Sequence, residues 1–124
     1  MAKKILAVDD ESDVLLIIQT GLEVEGFDVV TAVNGEEALS QAREEQPDLI
    51  LLDVMMPIMD GFEVLAKLKE DDSTSQIPVI MLTGLSDRKK IQQALVSGIE
   101  CYVVKPFDFS DLMQKVHAAL GSQA

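Results

Sequence analysis

The sequence predicts an α/β fold, a doubly wound and mostly parallel five-stranded sheet with helices on both faces. Five short runs are rich in Val, Ile and Leu and alternate little with polar residues, as is typical of strands covered on both faces. The runs are Ile5–Val8, Phe27–Ala32, Leu49–Leu52, Val79–Leu82 and Tyr102–Val104. A segment with helical spacing follows each run, and this regular alternation favours an open parallel sheet.

Apolar residues three or four positions apart mark the five helices in chain order. They are Ile18 and Leu22; Ala38 and Ala42; Phe62, Leu65 and Leu68; Ile91 and Leu95; and Leu112, Val116 and Leu120. Stripes of this kind are more often core than site, so we assign all of them to the core.

Residues that typically begin and end helices lie at the predicted helix boundaries. Side-chain oxygens at helix starts accept hydrogen bonds from free backbone amides, and a Glu three positions later completes the pattern. The expected caps are Ser12, Asn34 with Glu37, Asp60 with Glu63, and Asp108. Gly26 and Gly98 fall where a left-handed residue is needed to end a helix.

Length and composition predict one compact domain. The chain has 124 residues, of which 48% are hydrophobic and 26% charged, a balance that argues against disorder. We expect the domain to span residues 1–120, with residues 121–124 as a C-terminal tail or the start of a linker.

Charge and cysteine content indicate where the protein is located and which classes of partner it does not bind. Ten basic and 22 acidic residues give a net charge of −12, which repels phosphate backbones and anionic membranes. We therefore expect no direct nucleic-acid contact and no membrane association. The single Cys101 cannot form an internal disulfide, and no apolar run approaches the ~20 residues that span a bilayer. A cytoplasmic location is the expectation.

Polar residues end four of the predicted strands, and the carboxyl ends of parallel strands form the ligand-binding edge of such sheets. They are Asp9 and Asp10, Asp53, Thr83 and Lys105. Crowded carboxylates raise one another's pKa unless a cation intervenes, and Mg²⁺ prefers carboxylate, water and phosphate oxygens. The sequence therefore predicts a metal site at this edge of the sheet.

The same group of residues suits phosphoryl transfer. This reaction needs in-line positioning and stabilisation of charge on the phosphoryl oxygens. A metal can hold one oxygen, the Thr83 hydroxyl or a backbone N–H a second, and the Lys105 ammonium a third. An aspartate carboxylate can act as the nucleophile, and Asp53 at the end of the central strand is the best candidate.

Four motifs in order carry a resemblance to a known family. They are LAVDDE with Asp9 and Asp10, LILLDVMMPIMDG around Asp53, VIMLTG with Thr83, and GIECYVVKPF around Lys105. Over essentially its whole length the chain resembles the receiver domain of two-component response regulators. The resemblance implies a flavodoxin-like strand order, 2-1-3-4-5, and a protein that is not an enzyme with a separate substrate.

The resemblance also implies roles for the residues at the strand ends. Asp53 would accept a phosphoryl group from a phosphohistidine on a sensor histidine kinase or phosphotransfer protein. Mg²⁺, with Mn²⁺ as a substitute, would be held by Asp10 and Asp53, by Asp9 through a water, and by the Met55 carbonyl. Lys105 and Thr83 would bind the phosphoryl oxygens.

Activation would follow from a second set of residues. The Thr83 hydroxyl would move toward the phosphoryl group, and the Tyr102 ring would turn into the vacated space. The resemblance implies a cis Lys105–Pro106 bond and an output surface formed by the fourth helix, fifth strand and fifth helix. This surface would contact a downstream protein or an output domain. Lys89 and Lys90 would either contact acidic residues of a second copy in a homodimer or lie on a solvated helix face.

The chain departs from the family pattern at a few positions. Ile99 stands where the family most often has a small residue. Met55 and Leu85 are apolar at positions that tune phosphoryl lifetime in the family, and they predict slow decay of the phosphorylated state because apolar side chains limit the attacking water.

Two other functions remain open at this point. A degenerate receiver would act as a phosphorylation-independent docking module. An aspartyl-phosphate phosphohydrolase of the haloacid dehalogenase type would need a second acid two residues after the nucleophile, where this chain has Met55.

Overall fold

A computed structural model describes residues 2–84, 88–96 and 98–121. Strands and helices alternate along the chain in five pairs. They are β1 (Lys4–Val8), α1 (Ser12–Val24), β2 (Asp28–Ala32), α2 (Gly35–Glu45), β3 (Leu49–Asp53), α3 (Gly61–Glu70), β4 (Val79–Thr83), α4 (Arg88–Val96), β5 (Cys101–Val104) and α5 (Phe109–Ala119).

The sheet confirms the predicted topology. Its strand order is β2-β1-β3-β4-β5, and every neighbouring pair is parallel. The strand β3 lies at the centre, with Asp53 as its last residue. Because Val8 pairs with Leu52 and Asp53 with Leu82, the carboxyl ends of β1, β3 and β4 lie side by side.

Two apolar layers cover the sheet, one on each face. Alternate strand residues enter different layers, so Leu6 and Ile50 face α2 and α3, whereas Ile5 and Leu49 face α1 and α5. All four side chains are buried. This explains why the strands read as continuous apolar runs, since neither face of the sheet meets water.

Most of the predicted helix signals are confirmed. Asp60 and Glu63 form a complete capping box, and the Asp108 carboxylate accepts a hydrogen bond from the Ser110 N–H. Asn34 accepts from the Glu37 N–H, although the Glu37 carboxylate reaches back to the Val33 N–H rather than to Asn34. The terminators Gly26 and Gly98 both adopt positive φ, at 97° and 99°.

The predicted cap of the first helix is wrong by one residue. Glu11 occupies the cap position and Ser12 is the first helical residue, without a side-chain cap. The Asp9 carboxylate explains this difference, because it accepts a hydrogen bond from the Glu11 N–H at 2.9 Å. The chain turns immediately after β1, so the helix begins at Ser12 instead of after it.

The assignment of Leu95 to the core is also wrong. Leu95 lies near the end of α4 and its side chain is 45% exposed. It lines a hollow beside β5 and α5 instead of packing into either apolar layer. The side chain of Ile91, its predicted partner in the stripe, lies outside the described residues.

A buried hydroxyl group in the loop after α3 forms a hydrogen bond to that helix. Thr74 is 2% exposed, and its Oγ1 donates to the Leu68 carbonyl at 2.7 Å. We expect Thr74→Val to lower the free energy of unfolding by about 1–2 kcal/mol, because it leaves that carbonyl without this donor. Urea denaturation at neutral pH measures the change.

Ser73→Ala is the matched control for this prediction. The Ser73 hydroxyl also donates within the loop, but to the Asp71 carboxylate at the surface. Its loss should change the free energy of unfolding by less than about 0.5 kcal/mol. Equal losses in the two variants would contradict a structural role for the Thr74 hydroxyl.

Within residues 2–84, 88–96 and 98–121, none of the helices combines the length and the apolar content needed to cross a membrane.

Candidate functional site

Three carboxylates meet at the carboxyl edge of the sheet. Asp9 and Asp10 follow β1, and Asp53 ends β3. Asp9 is fully buried and Asp53 is 3% exposed, whereas Asp10 faces solvent. Oxygen atoms from all three lie within 4.8 Å of one another. One cation could therefore lie among the oxygen atoms of all three side chains.

The donor set of this cluster fits a hard divalent cation. It consists of carboxylate oxygens with no sulfur or imidazole, and such ligands suit Mg²⁺ or Mn²⁺. Met55 meets the cluster through its backbone, and its side chain is 67% exposed. The Met55 N–H lies 3.4 Å from Asp53 Oδ1.

Lys105 joins the two buried carboxylates. Its Nζ donates to Asp9 Oδ2 at 2.9 Å and to Asp53 Oδ1 at 3.1 Å. The backbone of β5 holds the side chain in place, since the Lys105 N–H donates to the Thr83 carbonyl at 2.7 Å. Lys105 thus brings a positive charge from the edge strand to the central one.

The electrostatics of Asp53 reflect its crowded position. Burial, followed by the charge of Asp9, raises the pKa of Asp53 to about 6, although Lys105 opposes the shift. Burial acts to lower the pKa of Lys105, but the hydrogen bond to Asp9 and the charge of Asp53 outweigh it and raise that pKa. The ammonium therefore stays charged, and the Asp53 carboxylate is a group that gains from a further cation.

The two predicted switch residues lie on β4 and β5. Thr83 is 3% exposed and its hydroxyl lies 3.2 Å from the Gly84 carbonyl oxygen, to which it can donate. Tyr102 is half-buried and packs against the apolar layer under α2 and α3. Among the described residues, neither side chain hydrogen-bonds to the three carboxylates. The Lys105–Pro106 peptide bond is cis.

Gly61 is a site residue that sequence reasoning missed. A Cβ on Gly61 would lie 2.5 Å from the Asp53 carbonyl oxygen and 2.9 Å from Val54 Cα and Met81 Cε. The Gly61 N–H also donates to the Val54 carbonyl at 2.9 Å, which closes the loop after β3. A glycine at the first turn of a helix, where no cap requires one, is the signal that could have revealed this close contact.

Two predicted positions fall outside what the structure describes. Leu85 and the side chain of Lys90 lie outside the described residues. Lys89 is exposed on α4, and Ile99 is buried against the layer under α2 and α3.

Comparison with known proteins identifies close relatives of this chain. The family model of the response regulator receiver domain matches residues 5–117. The alkaline phosphatase synthesis transcriptional regulatory protein PhoP of Bacillus subtilis is 42% identical over 120 residues, which cover 97% of this chain and 49% of PhoP. The chain spans about half the length of the curated relatives it matches.

Solved structures give the same result at the level of the fold. The chemotaxis protein CheY4 of Vibrio cholerae superposes with a TM-score of 0.90 at 32% identity, covering 96% of this chain and 99% of CheY4. The receiver domain of a sensor histidine kinase from Pseudomonas aeruginosa has a TM-score of 0.88 at 25% identity, covering 98% of this chain and all of that domain. That structure has a magnesium ion coordinated in the active site cleft.

Proposed function

Because this chain belongs to the response regulator receiver domain family, we propose that it is a switch activated by phosphorylation of Asp53. The family consists of signalling domains of two-component systems and not of classical metabolic enzymes. One observation carries the proposal: Asp53 ends the central strand with two more carboxylates within 4.8 Å and the Lys105 ammonium at 3.1 Å.

Mg²⁺ is the proposed cofactor, with Mn²⁺ as its substitute. Asp10 and Asp53 would ligate it directly, Asp9 through a bound water, and Met55 through its carbonyl oxygen. The all-oxygen cluster of the three carboxylates supports this assignment. When bound, the ion supplies positive charge to the phosphoryl oxygens.

The phosphoryl donor is a phosphohistidine on a sensor histidine kinase or phosphotransfer protein. An Asp53 carboxylate oxygen attacks the phosphorus, the phosphorus–nitrogen bond breaks, and its electron pair stays with the donor imidazole. Lys105 and Thr83 hold phosphoryl oxygens during the transfer, which needs positioning and charge stabilisation more than covalent help. The buried position of Asp53 supports this role, because it shields the acyl phosphate from water.

The surface formed by α4, β5 and α5 changes on phosphorylation and contacts the next component of the pathway. A hollow of about 600 Å³ lies there, and Tyr102, Leu95 and Lys115 are among its lining residues. Movement of Thr83 toward the phosphoryl group and of Tyr102 inward would reshape this hollow and shift an existing equilibrium between inactive and active forms.

The proposed partners of this surface are a downstream protein, an output domain or a second copy of the chain. Relatives about twice as long are named as transcriptional regulators, so their additional half is a candidate for the output. The net charge of −12 argues against direct contact between this domain and nucleic acid. A cytoplasmic location and slow decay of the phosphorylated state complete the proposal.

Phosphorylation by a small acyl phosphate tests the proposal directly. With acetyl phosphate and Mg²⁺, we expect intact mass spectrometry to show one added phosphoryl group on the wild-type chain. Asp53→Asn should abolish the adduct because it removes the nucleophile, and EDTA should suppress it. Asp28→Asn, at the exposed start of β2, is the control that should label normally.

Two results would contradict the proposal. A lack of adduct under conditions that label a control receiver would favour the docking module. Rapid multiple turnover of unrelated phosphate esters would favour the phosphohydrolase.

A further inference from the structure

The loop between β3 and α3 contains an unfavourable backbone conformation. Ile58 has a φ of 72°, in the left-handed region that residues with a branched Cβ rarely adopt. The Met59 N–H donates to the Pro57 carbonyl at 2.8 Å, which closes a γ-turn around Ile58. The Ile58 side chain is fully exposed, so its own burial does not offset the strain.

Contacts on both sides of Ile58 impose this conformation, since a strained residue persists only where its surroundings determine it. Met56 is buried in the layer under α2 and α3, and Met59 packs against the same layer. Met59 also lies directly against Gly35, where an added Cβ would be 2.6 Å from Met59 Sδ and 2.9 Å from its Cβ and Cγ. Because the Met59 Cβ is bonded to the backbone, a methyl group at position 35 would displace the loop as well as the side chain.

The same loop carries a proposed metal ligand, the backbone carbonyl of Met55. The Met55 side chain is 67% exposed, so its packing does little to fix the position of that carbonyl. The Met55 N–H lies 3.4 Å from Asp53 Oδ1, which places this part of the loop beside the carboxylate cluster. A backbone oxygen has no rotamer of its own, so its position follows from the conformation of the loop.

We propose that the contact between Met59 and Gly35 holds the strained loop in the conformation that presents the Met55 carbonyl to the metal. Met59 and Gly35 are then positioning residues for the cation, although neither touches it. The inference rests on the proposed function, in which a divalent cation binds beside Asp53. Without the contact, the loop relaxes at Ile58 and only a fraction of the molecules keep the carbonyl in place. The apparent dissociation constant for the metal rises by the inverse of that fraction.

Two variants test the contact, with Mn²⁺ as the probe and electron paramagnetic resonance of the free ion as the measurement. We expect Gly35→Ala to raise the dissociation constant for Mn²⁺ roughly fivefold, the factor that corresponds to relaxation of one strained residue. Met59→Ala removes the same contact without adding volume and should shift the constant in the same direction. Thr74→Val is the control, because it perturbs a hydrogen bond at the other end of α3 and should leave Mn²⁺ binding unchanged.

A second substitution in the Gly35→Ala chain tests the role of the strain. Asparagine tolerates positive φ, whereas valine keeps the branched Cβ of isoleucine. Because the Ile58 side chain is fully exposed, both replacements leave the packing of the loop unchanged. We expect Ile58→Asn to lower the dissociation constant of the Gly35→Ala chain again by roughly threefold, since the binding conformation no longer carries the strain. Ile58→Val should give no such recovery.

The outcomes separate the positioning role from the underlying metal site. Mn²⁺ binding as tight in Gly35→Ala and Met59→Ala as in the wild-type chain would overturn the positioning role and leave the metal site intact. Equal responses to Ile58→Asn and Ile58→Val would overturn it as well, since only relief of the strain distinguishes these two replacements. A wild-type chain that does not bind Mn²⁺ would overturn the metal site of the proposed function, and the positioning role with it.

Discussion

Lys105→Met is expected to lower the free energy of unfolding by about 2–3 kcal/mol above about pH 7 in the presence of EDTA. Lys105 donates to both Asp9 and Asp53, and these two carboxylates are almost completely buried. Removing the cation leaves two like charges together in a region of low dielectric constant. The estimate lies below the cost of breaking a fully buried ion pair, because the Lys105 side chain is 24% exposed.

The unfolding free energy lost in Lys105→Met should increase with pH. The pKa of Asp53 is already raised to about 6, and loss of Lys105 raises it further. A carboxyl group whose folded-state pKa is raised costs stability as pH rises through that pKa. The deficit of Lys105→Met should therefore be small below about pH 6, where Asp53 is protonated in both folded proteins, and should grow as pH rises above that value toward the still higher pKa of Asp53 in the variant.

Mg²⁺ and a surface variant provide the controls. Mg²⁺ should restore more stability to Lys105→Met than to the wild-type chain, because a dication replaces the missing charge. Lys4→Met removes a comparable pair with Glu45 at 2.9 Å, but both of those side chains are 35% exposed. Its effect on stability should be much smaller than that of Lys105→Met, because solvent screens an exposed pair. Equal losses in the two variants, without a response to Mg²⁺, would refute the role assigned to Lys105.

Gly61→Ala is expected to have an effect of similar size, about 3 kcal/mol of unfolding free energy, through overpacking. Its new methyl group would lie 2.5 Å from the Asp53 carbonyl oxygen and 2.9 Å from Val54 Cα. Both atoms belong to the backbone at the end of the central strand, which cannot move without displacing Asp53. Labelling by acetyl phosphate should therefore slow together with the loss of stability.

Gly35→Ala is the matched comparison for this variant. Gly35 is also the first residue of a helix, but the three atoms nearest to an added Cβ all belong to the Met59 side chain, at 2.6–2.9 Å, whereas those at Gly61 include two backbone atoms. The Met59 side chain can yield in part by changing rotamer, which backbone atoms cannot do, so the expected loss is smaller than that of Gly61→Ala. Chemical denaturation measures both variants, and a loss in Gly35→Ala as large as in Gly61→Ala would contradict the steric explanation.

The sheet and the position of Asp53 could be predicted because they follow from local patterns. Unbroken aliphatic runs can form only where both faces of a sheet are covered, and polar residues at their ends must lie along one edge. Leu6 and Ile50 illustrate the first rule, and Asp9 and Asp53 the second. No knowledge of tertiary contacts was needed for either.

The remaining features depend on neighbours that are distant in the sequence or on exact placement. Ser12 fails as a cap because the Asp9 carboxylate already holds the Glu11 N–H, and helical spacing does not reveal that bond. Leu95 has the spacing of a core residue, but the end of α4 leaves it beside a hollow. Gly61 matters only because α3 starts against the backbone of β3, which is a contact between two elements.

The bonds of Lys105 also determine when the site can first exist. This lysine is 96 residues from Asp9 and 52 from Asp53, so the chain joins its first strand to its last through one ammonium group. A ribosome must release nearly the whole domain before the two carboxylates acquire their counter-charge. Contacts between such distant residues form late, since closing a long loop has a large cost in conformational entropy. A truncated or half-synthesised chain therefore contains Asp53 but lacks its counter-charge, and the proposed phosphoacceptor site is complete only in the finished fold.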